Sequence, residues 1–331
     1  MTERRLDVLA IGNAIVDVIA DADDRFLKRE GMAKGSMRLI DEAEAIQLYA
    51  EMGQGREASG GSAANTVAGM AALGCRTGFI GQLADDQLGA IFAHDIRSLG
   101  VEFETPARAG IGATGVCLIL VTPDAQRTMN THLGAAQQLG AEAVDQAAIA
   151  SASIVYLEGY LWDPEEPRAA MRGAIKAARE AGTRVAFTLS DGFVVDRHRS
   201  DIEGLIADGS IDILFANEAE AIALTGAGDF DQAAAEIGGR VATAVVTRGE
   251  RGAIAIRGDE RAYVPAESIT KLVDTTGAGD LFAAGFLTGE ARGLGLDASL
   301  RLGAIAAAEV IQHYGARPEA DLKALAGELL G

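Results

Sequence analysis

The chain has 331 residues, 49% of them hydrophobic, and a formal net charge of −19. This length predicts one large domain with a smaller one, and the hydrophobic fraction is sufficient for a buried core. The negative charge argues against a nucleic-acid partner, and no apolar run reaches the roughly 18 residues of a membrane-spanning helix. Cys75 and Cys117 are too few for a disulfide scaffold, and no His or Cys spacing indicates a transition-metal site. Since the N-terminus also lacks the apolar stretch of a signal peptide, we expect a cytoplasmic protein.

Strand-like apolar runs alternate with helix-like segments along most of the chain. Strands are predicted at residues 6–11, 77–80, 153–157, 184–189, 211–215, 242–247 and 253–256. Helices are predicted at residues 62–73, 86–99, 164–181, 218–224, 230–238, 280–291, 298–314 and 318–330. Continuous apolar strands separated by helices predict an α/β fold with a doubly wound, mostly parallel sheet flanked by helices.

Four strand-like segments do not follow this alternation. They lie at residues 15–20, 35–40, 103–108 and 114–122, and Gly110-Ile111-Gly112 forms a turn between the last two. We interpret them as a small β-sheet that projects from the core as a lid. The predicted domains are therefore a large α/β domain of residues 1–14, 41–100 and 123–331, and a discontinuous lid domain of residues 15–40 and 101–122. The spacing of Asp41 and Glu44 predicts a capping box that opens a helix to about residue 51.

The most informative segment is Gly277-Ala278-Gly279-Asp280, which follows a strand-like run at residues 269–273 and precedes a helix of small residues. Glycine allows backbone N–H groups to converge, and the first N–H groups of a helix are unpaired and partly positive. This pattern predicts a phosphate site, with Asp280 beside it as a base for a hydroxyl group. Gly226-Ala227-Gly228-Asp229 repeats the four residues, but no small-residue helix follows, so that copy is predicted to be a loop.

Two glycine-containing segments are candidates for contacts with substrate hydroxyls. Asn13 and Asp17 follow the first predicted strand, and ligands of α/β sheets bind beyond the carboxyl ends of strands. Gly60 and Gly61 open a helix of very small residues in which Asn65 lies one turn further on. The alternative interpretations are an ordinary turn aspartate for the first segment and close helix packing for the second.

Two further segments are candidates for a nucleotide and its metal ion. Asn217 is predicted to cap a helix, and Glu220 is either favoured there by the helix dipole or available to Mg²⁺ and its waters. The turn after the strand at residues 242–247 is either a simple hairpin or a site for nucleotide phosphates or ribose. Its candidate residues are Thr247, Arg248, Gly249 and Gly252.

Taken together and in this order, the segments resemble the ribokinase-like (PfkB) family of sugar and nucleoside kinases, from residue 12 to residue 318. The most specific matches are residues 274–280 and the glycine segment at residues 60–65, with Asn217 and Glu220 similar to the Asn-x-x-Glu motif of the family. Within the family, residues 12–17, 127–136 and 212–220 are most similar to the adenosine kinase subgroup. Ala63 and Ala64 depart from it, because better-known adenosine kinases have polar residues there.

The resemblance implies an ATP-dependent kinase that phosphorylates the hydroxymethyl group of a nucleoside, with adenosine as the expected substrate and a ribokinase- or fructokinase-type sugar kinase as the alternative. It implies that Asp280 is the base and that Gly277, Ala278 and Gly279 form the anion hole. The implied substrate ligands are Asn13, Asp17, Gly60, Gly61, Asn65 and Arg127. The implied ATP-binding residues are Asn217, Thr247, Arg248, Gly249 and Gly252. The implied metal contacts are Glu220 for Mg²⁺ through water, and Asp274, Thr276 and Gly315 for K⁺.

The expected partners are therefore small molecules only, namely ATP and a nucleoside or sugar. The family includes members that pair through their lid sheets and members that are monomers, so both a monomer and a homodimer stay open. Phe187, Tyr160 and Trp162 are candidates for stacking on a base, or are core residues. A dinucleotide-dependent oxidoreductase is disfavoured because Gly12-Asn13-Ala14 does not fit Gly-x-Gly-x-x-Gly after the first strand. A binding module without catalysis is disfavoured because the base and the anion turn are both present.

Overall fold

The computed structural model describes residues 5–124 and 126–330. In that part of the chain the strands are β1 (Leu6–Ile11), β2 (Ile15–Asp21), β3 (Met37–Leu39), β4 (Gly55–Gly60), β5 (Thr77–Ile80), β6 (Val101–Phe103), β7 (Gly115–Val121), β8 (Arg127–His132), β9 (Ala152–Glu158), β10 (Arg184–Thr188), β11 (Ile213–Asn217), β12 (Thr243–Thr247), β13 (Ala253–Arg257) and β14 (Glu260–Val264). The α-helices are α1 (Asp24–Arg29), α2 (Glu42–Glu51), α3 (Ser62–Ala72), α4 (Gln87–Ser98), α5 (Gln146–Ser151), α6 (Glu165–Ala181), α7 (Gly192–Ala207), α8 (Glu218–Thr225), α9 (Phe230–Gly238), α10 (Ala278–Ala291), α11 (Leu296–Val310) and α12 (Leu322–Ala326).

The large sheet has nine strands in the order β14-β13-β12-β11-β10-β9-β1-β5-β6. The seven strands from β12 to β6 are mutually parallel, and β13 and β14 add an antiparallel edge. Alternate residues of its strands belong to two separate cores: Val8 and Ala10 pack on one face, whereas Leu9 and Ile11 pack on the other. Helices cover both faces, so the central parallel strands are mostly apolar, as expected for strands buried on both sides, whereas the edge strand β14 is largely exposed. The predicted α/β fold is confirmed.

The small sheet has five strands in the order β3-β8-β7-β2-β4. Its side chains alternate between two faces, as the period of two in a strand requires. Leu118 and Leu120 of β7 pack into the core shared with the large sheet, whereas Cys117, Ile119 and Val121 form a separate apolar cluster with Ile15, Ile19 and Met129. The small sheet therefore presents an apolar face of its own.

One predicted strand of the small sheet belongs elsewhere. Residues 103–108 were expected in that sheet, but the structure pairs Val101–Phe103 in parallel with β5 at the edge of the large sheet. Phe103 lies against Phe79 and Phe92, with ring centroids 6.0 and 5.6 Å apart, and this aromatic cluster fixes the segment on the large core. The small sheet instead gains Gly55–Gly60 and Arg127–His132, from ranges predicted to lie in the large domain. The division into two domains stays a prediction.

Other predictions differ at the ends of elements. The interpretation of residues 269–273 as strand-like is wrong, because no strand forms there. Val273 instead donates its N–H to the carbonyl of Ile311, 2.8 Å away. The helix expected at residues 318–330 is shorter, with Leu322–Ala326 helical and the 3₁₀ turn Gly327–Leu330 after it. The helix Gly192–Ala207 was not predicted, and it is interrupted at His198, whose φ of −122° is not helical. Within the described residues, no helix has both the length and the apolar character needed to cross a bilayer.

Candidate active site

A cavity of about 360 Å³ lies between the carboxyl ends of the large-sheet strands and the apolar face of the small sheet. The ends of β10, β11 and β12 contribute Thr188, Asn217 and Thr247 to its wall, which is where ligands bind in α/β sheets. The small sheet contributes Ile15, Asp17, Cys117, Ile119 and Met129. The remaining wall comes mainly from the starts of α3 and α10, with Gly61, Ser62, Asn65, Thr276, Gly277, Gly279, Asp280, Phe282 and Ala283.

The anion turn, residues 277–279, forms the start of α10. Gly277 is the N-cap, and its φ of +79° favours glycine. A Cβ added there would also lie only 2.6 Å from the Cβ of Ala316, so glycine is required both for its backbone conformation and for the lack of space. Gly279 has an ordinary helical conformation, and a Cβ there would meet no described atom within 4 Å. Among the described residues, the N–H groups of Gly277 and Gly279 have no intramolecular acceptor, whereas Ala278 donates to the carbonyl of Thr275 at 3.2 Å. Gly277 and Gly279 line the cavity and Ala278 does not.

Asp280 lies beside this turn, between α10 and α3. Its two carboxylate oxygens accept hydrogen bonds from Ser62 Oγ at 2.6 Å and from Asn65 Nδ2 at 2.8 Å. Burial raises the pKa of Asp280, and the bonds from Ser62 and Asn65 and the charge of Arg317 oppose that rise. A carboxylate whose pKa is raised is a stronger base, so it is better suited to accept a proton from a hydroxyl group.

Arg317 is a site residue that the sequence analysis missed. Its guanidinium donates to Asn65 Oδ1 at 2.6 Å, to the carbonyl of Ser59 at 2.6 Å and to Ser59 Oγ at 2.9 Å. Burial lowers the pKa of Arg317, and Asp17, Asp95 and Asp280 oppose that change. No local pattern around Arg317 indicates this role, because its partners lie more than 250 positions earlier in the chain.

The glycine turn that opens α3 is held by a second residue missed in the sequence. Gly61 has φ +101°, and a Cβ there would overlap the carbonyl oxygen of Asn13. The carboxylate of Glu158 accepts from Asn13 Nδ2 at 2.6 Å and from the N–H of Ala63 at 2.8 Å. Glu158 is 1% exposed, and burial raises its pKa to about 7. Asn13 was predicted to bind substrate, but it does not line the cavity, because its amide is used to hold Glu158.

Asp17 reaches the cavity from β2 of the small sheet. Burial raises its pKa to about 6, and the charges of Arg317 and Arg127 oppose that rise. A Cβ at Gly60 would lie 2.5 Å from the carboxylate of Asp17, so Gly60 provides the space in which this side chain sits. Gly60 itself does not line the cavity. Asp17 therefore offers the cavity a carboxylate that accepts hydrogen bonds from hydroxyl groups.

The residues predicted to bind K⁺ instead contact one another, and Arg127 forms an ion pair with one of them, Asp274. Arg127 Nη1 lies 2.7 Å from Asp274 Oδ2, and both side chains are buried. The same carboxylate accepts from the N–H groups of Thr276 and Gly315, at 3.1 and 3.2 Å. A K⁺ ion would have to displace a guanidinium from its carboxylate partner, so these residues as placed do not fit a monovalent-cation site. Arg127, predicted to contact substrate, is not at the cavity wall but is held in this pair.

Some of the residues predicted to bind the nucleotide line the cavity, and the others lie outside its wall. Asn217 and Glu220 line the cavity and form a reciprocal capping box, in which Asn217 Nδ2 donates to Glu220 at 2.6 Å. Burial raises the pKa of Glu220 to about 7. Thr247 also lines the cavity, whereas Arg248 pairs with Glu218 at 3.2 Å. Gly249 and Gly252 lie outside the wall; both have positive φ, and a Cβ at Gly252 would overlap the carbonyl of Val264.

Of the three aromatic candidates, Tyr160 lines the cavity. Phe187 and Trp162 are core residues, packed edge to face with ring centroids 5.6 Å apart. Phe215, Phe282 and Tyr156 also line the cavity and were not singled out in the sequence. They face inward because they lie at a strand end, at the start of α10 and on β9, positions that only the assembled sheet brings together.

Comparison with known proteins identifies the family of the chain. The sequence model of the pfkB family carbohydrate kinases matches residues 6–322. A solved adenosine kinase from Sinorhizobium meliloti has a TM-score of 0.89 and 48% identity, covering 97% of this chain and 98% of that one. A probable sugar kinase from Rhizobium etli has a TM-score of 0.90 and 46% identity, covering 98% of both chains. The ATP-dependent ribose-1-phosphate kinase of Halopiger xanaduensis is 32% identical over 70% of this chain and 73% of its own length. The chain therefore belongs to the PfkB family of kinases, which transfer a phosphoryl group to a hydroxyl of a nucleoside or sugar.

Proposed function

We propose that this kinase phosphorylates the hydroxymethyl group of adenosine to give AMP, with ATP as the donor. The observation that carries the proposal is the position of Asp280, a partly buried carboxylate beside the unpaired N–H groups of Gly277 and Gly279, in the wall of the cavity. A base and an anion site so close together suit in-line transfer of a phosphoryl group to a hydroxyl.

In this mechanism Asp280 accepts the proton of the attacking hydroxyl as its oxygen forms the new P–O bond, while the bond between the γ-phosphorus and the β–γ bridging oxygen of ATP breaks and ADP leaves with the electron pair. Ser62 and Asn65 hold its carboxylate in place through one hydrogen bond on each oxygen. The N–H groups of Gly277 and Gly279 stabilise the negative charge of the transferring phosphoryl group, aided by the positive end of the α10 dipole. We propose that the small sheet closes as a lid over this centre and excludes water, which would otherwise compete for the phosphoryl group.

Mg²⁺ fits beside the capping box of α8. Each carboxylate oxygen of Glu220 accepts one hydrogen bond from Asn217 and keeps a further lone pair for a metal-bound water. Mg²⁺ on the ATP phosphates would neutralise part of their charge. Residues 5–124 and 126–330 contain no group of three or more His, Cys, Asp or Glu that could hold a metal by themselves, so Glu220 contributes to a site that the nucleotide completes.

The small-sheet wall favours a nucleoside over a free sugar. Ile15, Cys117, Ile119 and Met129 make this wall apolar, and Asp17 is its charged group. The flat face of a purine matches an apolar surface, whereas a free sugar presents hydroxyls around its whole rim and would leave them unpaired there. The similarity to the Sinorhizobium meliloti adenosine kinase supports the same choice.

Steady-state kinetics with MgATP and four acceptors test the proposal: adenosine, guanosine, ribose and fructose. We expect the highest kcat/KM with adenosine and AMP as the product, identified by chromatography. Replacement of KCl by choline chloride in the same assay tests whether the reaction rate depends on K⁺. Preference for ribose or fructose would make the protein a sugar kinase of the same family, and absence of turnover with all four acceptors would refute the proposed reaction.

A further inference from the structure

Arg317 joins three elements that meet at the candidate base. It follows α11, and its guanidinium reaches both Ser59 of β4 and Asn65 of α3. Ser59 is fixed in turn, because its N–H and its hydroxyl both donate to Asp95 Oδ2, at 2.8 and 2.6 Å. The guanidinium is therefore anchored on one side before it contacts Asn65 on the other.

The contact with Asn65 determines which end of its amide faces Asp280. An asparagine side chain has one accepting oxygen and one donating NH₂ group, and the two are nearly equal in shape. Arg317 can only donate, so it binds Oδ1 and leaves Nδ2 directed toward the Asp280 carboxylate at 2.8 Å. If the amide rotated by half a turn, Oδ1 would face the carboxylate and NH₂ would face the guanidinium, and both contacts would be lost.

We propose that Arg317 is a positioning residue for phosphoryl transfer: by binding Asn65 Oδ1 it orients the amide that holds Asp280, and it ties the small sheet to this centre through Ser59. The proposal rests on the proposed function of Asp280 as the base. Arg317 does not touch the reacting atoms itself, because Asn65 stands between it and Asp280.

The charge of Arg317 also acts on Asp280. From α3, Ser62 and Asn65 face the carboxylate of Asp280. The other titratable groups coupled to it are Asp17 of β2, Tyr156 and Glu158 of β9, and Tyr160. Arg317 is the cation that lowers the pKa of Asp280, so removing it favours the protonated acid, which cannot accept a proton.

The test compares Arg317→Met and Arg317→Lys with the wild type and with a matched control, Arg292→Met. Arg292 likewise links the C-terminal segment to α3, through the carbonyls of Leu330 and Leu73, but lies away from Asp280. Each variant is assayed for thermal stability, for kcat and KM with adenosine and MgATP, and for kcat/KM against pH.

For Arg317→Met we expect kcat to fall about 10- to 100-fold, the usual effect of a small misplacement of a catalytic group, with KM for MgATP nearly unchanged. We also expect the acidic limb of its pH profile to move to higher pH. Arg317→Lys keeps the charge but not the planar fork, so its pH profile stays near that of the wild type while kcat falls. In the Asn65→Ala background, Arg317→Met should lower kcat much less than it does alone.

The outcomes separate this inference from the proposed function. If the wild type is active and Arg317→Met keeps its pH profile, with a loss of kcat no larger than that of Arg292→Met, Arg317 is structural and the inference is overturned. Full additivity with Asn65→Ala would also overturn it. If Arg317→Met does not fold, Arg317→Lys and its combination with Asn65→Ala decide the question. A wild type without turnover would remove the proposed function, and the role of Arg317 with it.

Discussion

The substitution Glu158→Gln tests how the buried carboxyl group next to the glycine turn of α3 affects the free energy of unfolding. Glutamine keeps the shape of the side chain but cannot ionise. In the structure the carboxylate of Glu158 accepts from Asn13 and from Ala63, and desolvation is the main cause of its raised pKa. The substitution therefore changes the pH dependence of stability as well as its absolute value.

The size of this pH-dependent part follows from the two pKa values. The pKa of Glu158 is about 7 in the folded protein against 4.5 for the free side chain, so between these values the folded state binds a proton that the unfolded state has lost. The contribution of Glu158 to the free energy of unfolding is thus greatest at low pH, and it falls as the pH rises through this window. At about 1.36 kcal/mol per pH unit, the wild type loses about 3 kcal/mol from this group by pH 8, and the glutamine variant loses none of it.

Urea unfolding at a series of pH values from about 5 to 8 measures the effect. The quantity of interest is the difference in unfolding free energy between variant and wild type, since the other carboxyl groups are present in both and cancel to first order. We expect this difference to change by about 2.5 kcal/mol in favour of the variant between pH 5 and pH 8, because the unfolded state is already largely deprotonated at pH 5. Glu166→Gln, at an exposed position in the first turn of α6, is the control and should show no such trend. Parallel stability curves for Glu158→Gln and the wild type would refute the reasoning.

Three further predictions concern Asp280 and the glycine residues at the starts of α10 and α3. Asp280→Asn should fold and bind MgATP but lose roughly 10²- to 10⁴-fold in kcat, and wild-type turnover in that variant would exclude a base role. Gly279→Val should leave the melting temperature almost unchanged, because its side chain would enter open space, yet lower kcat by filling the anion site; unaltered kcat would show that phosphate does not bind there. Gly61→Ala should lower the melting temperature and the yield of folded protein, because of its φ of +101° and the overlap with Asn13, and a fully stable variant would contradict this.

The elements whose signals are local could be predicted from the sequence. Apolar runs covered on both faces predicted the parallel strands, and the Gly277–Asp280 segment predicted the start of a helix, whose role as an anion site stays a prediction. Asn217 was predicted to cap α8, and it does so within a reciprocal capping box with Glu220; the capping box predicted from the spacing of Asp41 and Glu44 also forms. In each case the deciding interactions lie within a few residues, so the segment itself contains the information.

Contacts between distant segments were decided by the tertiary structure alone. Phe103 has the pattern of a lid strand, but its packing against Phe79 and Phe92 places it on the large sheet. Glu158 and Asn13 are 145 positions apart, and Arg317 and Asn65 are 252 apart. A carboxylate after an apolar strand, or an arginine before a proline, has many possible partners until the sheet and helices are assembled. The sequence thus determined the glycine turn that begins α10, whereas the assembled fold decided which distant groups surround Asp280 and the turn before α3, because the contacts of Arg317 and Glu158 exist only once folding brings their partners together.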